Sequence, residues 1–288
     1  MARLRADRTN DVRAEGDLVG IGTTPHFAIG QRALLVPFGD SNLLWDCVSL
    51  LDEATAEEVE RRGGLAAIAV SHPHYYTTMV EWAQRFDCPV HLHAADADWV
   101  MRPDPAIRHW DGETLDLGHG VTLIRGGGHF PGGTMLHRAD GAGDLLTGDI
   151  IQVVPDRGHV AFMWSYPNFV PLPEAEVRRI AATVEPFEFE AIYGAWWSFH
   201  IPAGAKTSSA ARPSATPPHC AATCDPAGQA SSSTTTATAA TVSATHASAS
   251  PIATWAVRRA TTRPVWRACA GRRPSAATCN SAPPRPRP

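Results

Sequence analysis

Ser71-His72-Pro73-His74-Tyr75-Tyr76-Thr77 follows directly on the apolar run Leu65 to Val70, and the fold is read outward from this junction. A short, continuously apolar run closed by turn residues reads as a buried strand. Two histidines at i and i+2 where a strand ends point to the same side, so both imidazoles can reach one ion. The same spacing recurs at His91-Leu92-His93, inside a strand-like stretch, where the reading is a pair of hydrogen-bonded histidines near a sheet end.

Upstream, Leu18 to Thr23, Phe27 to Val36 and Leu43 to Val48 are β-branched or alternating segments separated by Pro25, Gly39, Asp40 and Asn42, which predicts an opening β-meander. Ala54 to Arg62 has helical spacing and closes on Gly63-Gly64. Downstream, Thr77 to Phe86 predicts a helix, Pro89 to His93 a strand and Ala95 to Met101 a short helix. Thr114 to Arg125, Thr134 to His137 and Asp144 to Ile150 predict three further strands, Pro173 to Val184 an amphipathic helix, and Ala191 to Trp197 the last strand. This order suits an α/β chain folded as an αββα sandwich, two mixed sheets face to face with helices outside.

Order singles out the first histidine pair. Asp46 ends a strand before it, Gly128-His129-Phe130-Pro131-Gly132 follows, and Leu145-Leu146-Thr147-Gly148-Asp149 comes after that. In these blocks the chain resembles the metallo-β-lactamase fold superfamily over about Leu18 to His200. That family carries a strand-end Asp, a His-x-His-x-Asp-His loop, a lone His near glycines, an Asp after a Thr-Gly turn, and a terminal His. The resemblance implies a metal held by His72, His74 and His129, with Asp149 completing the shell or holding a water. It places Asp46 behind the ligands, where the alternative is a turn aspartate capping backbone amides.

The chain departs from the family pattern at three places. Tyr76 and Thr77 stand where the loop has its Asp and second-site His, and Gly194-Ala195-Trp196 stands where the terminal His is expected. Those groups serve mainly a second metal ion, so the expectation is a mononuclear zinc site, with iron or manganese as alternatives. Three histidines on zinc lower the pKa of a bound water to about 7, which supplies hydroxide near neutral pH. The expected function is hydrolysis of a small organic substrate. Asp149 and Asp46 are the candidate catalytic carboxylates, and Tyr76, like its neighbour Tyr75, is a candidate hydrogen-bond donor to an oxyanion. His200, a few residues past the missing ligand, is a candidate replacement. Aromatic-rich Met163 to Asn168 and Trp196-Trp197 are expected at the mouth or in the core. The other reading is a non-catalytic relative that binds small molecules or partners.

Composition divides the chain near Ile201. Beyond Pro202 there is no Leu, Phe, Tyr or Met, and ten Lys or Arg face one acid, Asp225. The expectation for residues 202–288 is a disordered tail without an evolved role, because such a composition cannot offset the entropy of ordering. With −4 overall, nine net positive charges on the tail leave about −13 on the rest, which argues against a nucleic-acid partner. No run of 18 apolar residues is present and the first residues lack a secretory apolar stretch, so no membrane association and a cytoplasmic location are expected. Cys47 and Cys88 read as buried thiols, and His219, Cys220 and Cys224 lack the frame of a metal knuckle. Back-translated with G- and C-rich codons and read with one base restored after Lys206, the tail opens as Lys-Asp-Val-Val-Arg-Arg-Ser-Ala-Glu-Arg-Tyr, an amphipathic helix. A one-base deletion near Lys206 is therefore expected, and the coding DNA decides it.

Overall fold

The computed structural model describes residues 2–206. A short helix α1 (Ala2–Asp7) leads into an antiparallel meander of β1 (Thr9–Glu15), β2 (Leu18–Thr24), β3 (Arg32–Phe38) and β4 (Ser41–Trp45). Helix α2 (Glu53–Arg61) starts at Asp52, whose side chain accepts the Thr55 amide at 2.8 Å and satisfies one free N–H of the first turn. Strand β5 (Ala67–Ala69), helix α3 (Met79–Phe86), strand β6 (Val90–His93) and strand β7 (Ile107–Trp110) then extend the sheet in parallel, in the order β1-β2-β3-β4-β5-β6-β7.

The second sheet is a meander of β8 (Thr114–Gly118), β9 (Val121–Arg125), β10 (Thr134–Arg138) and β11 (Asp144–Gly148). Two small hairpins follow, β12 (Gln152–Val153) with β13 (Val160–Ala161) and β14 (Met163–Ser165) with β15 (Val170–Pro171). After helix α4 (Glu174–Val184), β16 (Ala191–Gly194) lies parallel to β11, and β17 (His200–Ile201) closes the edge.

Alternation along the strands explains the layering. Leu34, Val36, Leu43 and Trp45 of the first sheet meet Leu123, Leu136, Leu146 and Tyr193 of the second in one buried cluster. Their neighbours on the opposite faces are buried too. Leu35, Leu44, Ile68 and Val90 pack with Val59 of α2 and Trp82 of α3, while Ile124, Met135, Leu145 and Ile192 pack with Ile180 and Val184 of α4. Both sheets are thus covered on both faces, which is the αββα sandwich expected from the sequence. Leu146→Ala, in the inter-sheet layer, is expected to lose about 2–5 kcal/mol of stability with unchanged far-ultraviolet dichroism, read by urea unfolding.

Several boundaries differ from the sequence reading. The sheet begins at Thr9, inside the segment 1–17 set apart as N-terminal, because β1 is a polar edge strand of Thr-Asn-Asp-Val-Arg-Ala-Glu with only Glu15 fully buried. Thr114 to Arg125 is two strands, since His119 (φ 52°) and Gly120 (φ 75°) both take positive φ and reverse the chain in a tight hairpin. The strand-like start at Phe27 is loop, and β3 begins only at Arg32. Cys47 and Cys88 are buried free thiols. The readings of residues 207–288, including His219, Cys220, Cys224 and the displaced reading frame, lie outside the described residues.

Candidate metal centre

Both sheets deliver side chains to one end of the sandwich. Strand β5 ends at Ala69, and His72 and His74 leave it on a single turn of 3-10 helix, Pro73–Tyr75. His129 sits on the β9–β10 connection, reached through Gly127 (φ 64°) and Gly128 (φ 76°). A Cβ on Gly128 would lie 2.8 Å from both Ile180 and Leu172, so glycine lets this loop lie against α4. Asp149 follows Gly148 at the end of β11.

The four side chains converge. One donor atom from each of His72, His74, His129 and Asp149 lies within 4.8 Å of all the others. His72 Nε2 is 3.2 Å from His74 Nδ1, which is 3.4 Å from His129 Nε2. Asp149 Oδ2 stands 3.6 Å from His72 Nε2 and 4.0 Å from His129 Nε2. His72, His129 and Asp149 are buried while His74 is exposed, so the cluster opens to solvent on the His74 side.

Hydrogen bonds on the far side of the His129 ring set its tautomer. His129 Nδ1 faces the carbonyl oxygens of Met163 (3.2 Å) and Trp164 (3.1 Å), which can only accept. Nδ1 therefore carries the proton, and in the neutral ring Nε2 presents a lone pair to the cluster. His72 Nδ1 is paired with the Ser71 hydroxyl at 2.9 Å. Burial holds all three imidazoles below the ordinary histidine range, most strongly His72, where the other two rings add to the effect. Neutral imidazole is the form that ligates.

Asp149 is divided between two tasks. The Tyr75 hydroxyl donates to its Oδ1 at 2.7 Å, leaving Oδ2 directed at the histidines, and Tyr166 donates to its backbone carbonyl at 2.7 Å. Burial pushes the Asp149 carboxyl up to about 7, partly opposed by the Tyr75 bond. Phe130 packs against the rings of all three histidines, at 5.5, 4.9 and 5.1 Å between centroids.

Asp46 lies behind the cluster. Its Oδ1 accepts the Ser71 amide at 2.7 Å, its own amide donates to Ala69, and Ser71 in turn holds His72. It is thus an amide-capping aspartate whose cap stands next to a candidate ligand, and burial raises it to about 7. Tyr76 lines a neighbouring cavity with Trp99 and Met101, and the tyrosine bonded to the Asp149 carboxylate is Tyr75. His200 is not drawn in: it bonds Glu15 at 3.1 Å and stacks on Tyr193. Thr77 pairs with Ser49, and Ala195 is buried with its carbonyl accepting the Arg32 amide. His93 bonds Gly112 and Ala95, away from the centre. Tyr75 was a candidate donor from the sequence but with no sign of its partner, and the Tyr166 bond carried no sequence signal, because Asp149 lies 74 and 17 positions away.

Two mixed sheets with outer helices, bearing three histidines and an aspartate at one end, define a metallo-β-lactamase fold with residues that could hold a divalent metal. Solved structures agree on the fold. DIM-1 metallo-beta-lactamase superposes with a TM-score of 0.52 at 11% identity, over 65% of this chain and 89% of that one. VMB-1, at pH 5.5, gives 0.53 at 11% identity, over 70% and 95%. The chain is 49% identical over 187 residues to YmaE of Bacillus subtilis (strain 168), described as uncharacterized, covering 64% of this chain and 68% of the relative. The two belong to one family. No family model matches the chain. No helix among the described residues is long and apolar enough to cross a membrane.

Proposed function

We propose that the protein is a metal-dependent hydrolase whose centre holds one zinc ion on His72 Nε2, His74 Nδ1 and His129 Nε2, with the fourth position left to a water and Asp149 Oδ2 beside the shell to hold that water. The observation that carries this reading is the spacing of those donors. Atoms around a tetrahedral zinc at ~2.0–2.1 Å stand about 3.3–3.4 Å apart, and His74 Nδ1 stands 3.2 Å from His72 Nε2 and 3.4 Å from His129 Nε2. Three neutral nitrogens with the fourth position open to water also suit a catalytic zinc chemically. A zinc ion there would acidify a water to give a nucleophile near neutral pH and polarise the substrate carbonyl.

The chain's own residues support a single ion. Tyr75 donates to Asp149 Oδ1, and Thr77 and Ala195 supply no nitrogen ligand for a second ion. The Met163 and Trp164 carbonyls hold His129 in the ligating tautomer, and Asp46 holds Ser71 and so the turn that carries His72. The exposed edge at His74 is the side on which substrate can approach.

Tyr75→Phe is expected to weaken zinc binding by about 10–100-fold, the usual cost of disturbing the outer shell, because it frees the Asp149 carboxylate beside the ligands. Zinc competition against a chromophoric chelator measures this; unchanged affinity would remove Tyr75 from the account. The function itself is tested by metal analysis of the purified chain followed by hydrolysis assays on ester, thioester, lactone and phosphodiester substrates. One zinc per chain with turnover of one class is expected. Well-folded protein that takes up no metal would sink the reading and favour a binding protein instead.

A further inference from the structure

The large hydrophobic side chains exposed among the described residues are not scattered. Trp99 (55% exposed) and Met101 (86%) lie at and just after the 3-10 helix that follows β6. Trp164 (61%), Phe169 (81%) and Val170 lie on the hairpin of β14 and β15. Phe27 and Ile29 lie on the β2–β3 connection. Isolated exposed apolar residues need no explanation, whereas a contiguous set around a site does.

The first two of these loops touch the metal centre or its immediate wall, and the third is linked to it through Trp196. Trp99 packs edge-on to Phe130 at 5.4 Å, and Phe130 packs on His74. The carbonyl of Trp164 is one of the two that orient His129, and Tyr166 of the same hairpin bonds the Asp149 backbone. The Ile29 carbonyl accepts the Trp196 indole N–H, and Trp196 lies 6.5 Å from Tyr166. Beside the histidine turn, a cavity of about 240 Å³ is walled by Pro73, Tyr76, Met79, Trp99 and Met101.

Charge around the centre is as informative as the apolar rim. Among the described residues, the side chains of His72, His74, His129 and Asp149 contact one another, the hydroxyls of Ser71 and Tyr75 and two backbone carbonyls, with no arginine or lysine in hydrogen-bond or ion-pair reach. Arg102, the cation in the cavity wall, is bonded to Glu81 at 2.8 Å. Recognition of a carboxylate or phosphate on a substrate ordinarily uses an Arg fork or a Lys.

Building on the hydrolase reading, we infer that the substrate is an uncharged carbonyl compound carrying a hydrocarbon or aryl tail, which lies along Phe130 and Trp99 into the cavity beside Tyr76. The polar end faces the histidines and the tail replaces water on the rim. Burial of each methylene then adds to affinity until the cavity is filled.

The test uses non-hydrolysable, neutral probes, 2-hexanone, 2-octanone and 2-decanone, titrated by tryptophan fluorescence and calorimetry into the full chain with and without zinc. Affinity is expected to rise about fourfold per added methylene. In Trp99→Ala and Met101→Ala, both exposed positions where folding is little disturbed, the chain-length gain should shrink several-fold. The inference is overturned by affinity independent of chain length, by octanoate binding as tightly as 2-octanone, or by an unchanged gain in both variants. It is also overturned if sedimentation shows the rim covered by a second copy, or if only neutral phosphatidylcholine vesicles bind. A chain that takes up no zinc yet keeps the chain-length gain would sink the hydrolase reading and leave the ligand class standing.

Discussion

His129→Ala is expected to abolish stoichiometric zinc binding, lowering affinity by more than the 10–100-fold that loss of an outer-shell partner costs. The variant removes one of three nitrogens spaced for a single ion, and the remaining pair, 3.2 Å apart, leaves one face of the cluster open. It also strands the carbonyls of Met163 and Trp164, which share the His129 N–H. Carbonyls left without a donor cost about 1–3 kcal/mol if water does not reach them, so a modest loss of stability should accompany the metal loss. Inductively coupled plasma mass spectrometry on protein purified with excess zinc, beside a chelator competition, measures the first effect. His91→Ala is the control: the ring lies on β6 outside the cluster, and zinc content should not change. Equal zinc in His129→Ala and the parent chain would refute the assigned ligand set.

Gly148→Ala should damage fold and centre together. Gly148 has φ 52°, a left-handed conformation that costs a side-chain-bearing residue about 1 kcal/mol or more. A Cβ built there would lie 2.6 Å from the Ser71 hydroxyl and 2.8 Å from its Cβ. Ser71 cannot step aside freely, because its amide is bonded to Asp46 and its hydroxyl to His72. Strain and overpacking together are expected to cost about 2–5 kcal/mol, and zinc affinity should fall because His72 and Asp149 are both displaced. A useful comparison is Gly141→Ala. Its φ is 56°, but nothing lies within 4 Å of the added Cβ, so only the backbone cost applies. Thermal unfolding of the pair separates the terms; equal melting points would show that the clash with Ser71 is relieved at no cost.

The elements that were legible in the sequence are those whose evidence is local. Leu43 to Trp45, the apolar run before Ser71, and the helices of Glu53–Arg61 and Glu174–Val184 announce themselves by period, cap and closing glycine. The His72–His74 pair was legible because i, i+2 spacing at a strand end has one geometric meaning, and His129 and Asp149 because their order along the chain fits one arrangement. Strand β1 was not, since an edge strand with one solvated side needs no apolar alternation and Thr9–Glu15 shows little. The two-residue strands β12, β13, β15 and β17 carry too few residues for any period.

Among the aromatic residues the division is sharper. Tyr75 and Tyr76 are chemically identical neighbours, and sequence alone offered either as a donor to the centre. The 3-10 turn at Pro73–Tyr75 directs Tyr75 inward to Asp149 and leaves Tyr76 on the wall of the adjoining cavity with Trp99. His200 had the right residue type near the right place, yet β17 pairs it against β16 and gives it to Glu15.

The sequence by itself determined which side chains could ligate a metal and in what order the strands present them, because residue chemistry and period two are local properties. Only the tertiary structure decided which tyrosine holds Asp149, which tautomer His129 adopts and where the exposed aromatics gather. Those depend on contacts between segments tens of residues apart, which no local pattern encodes.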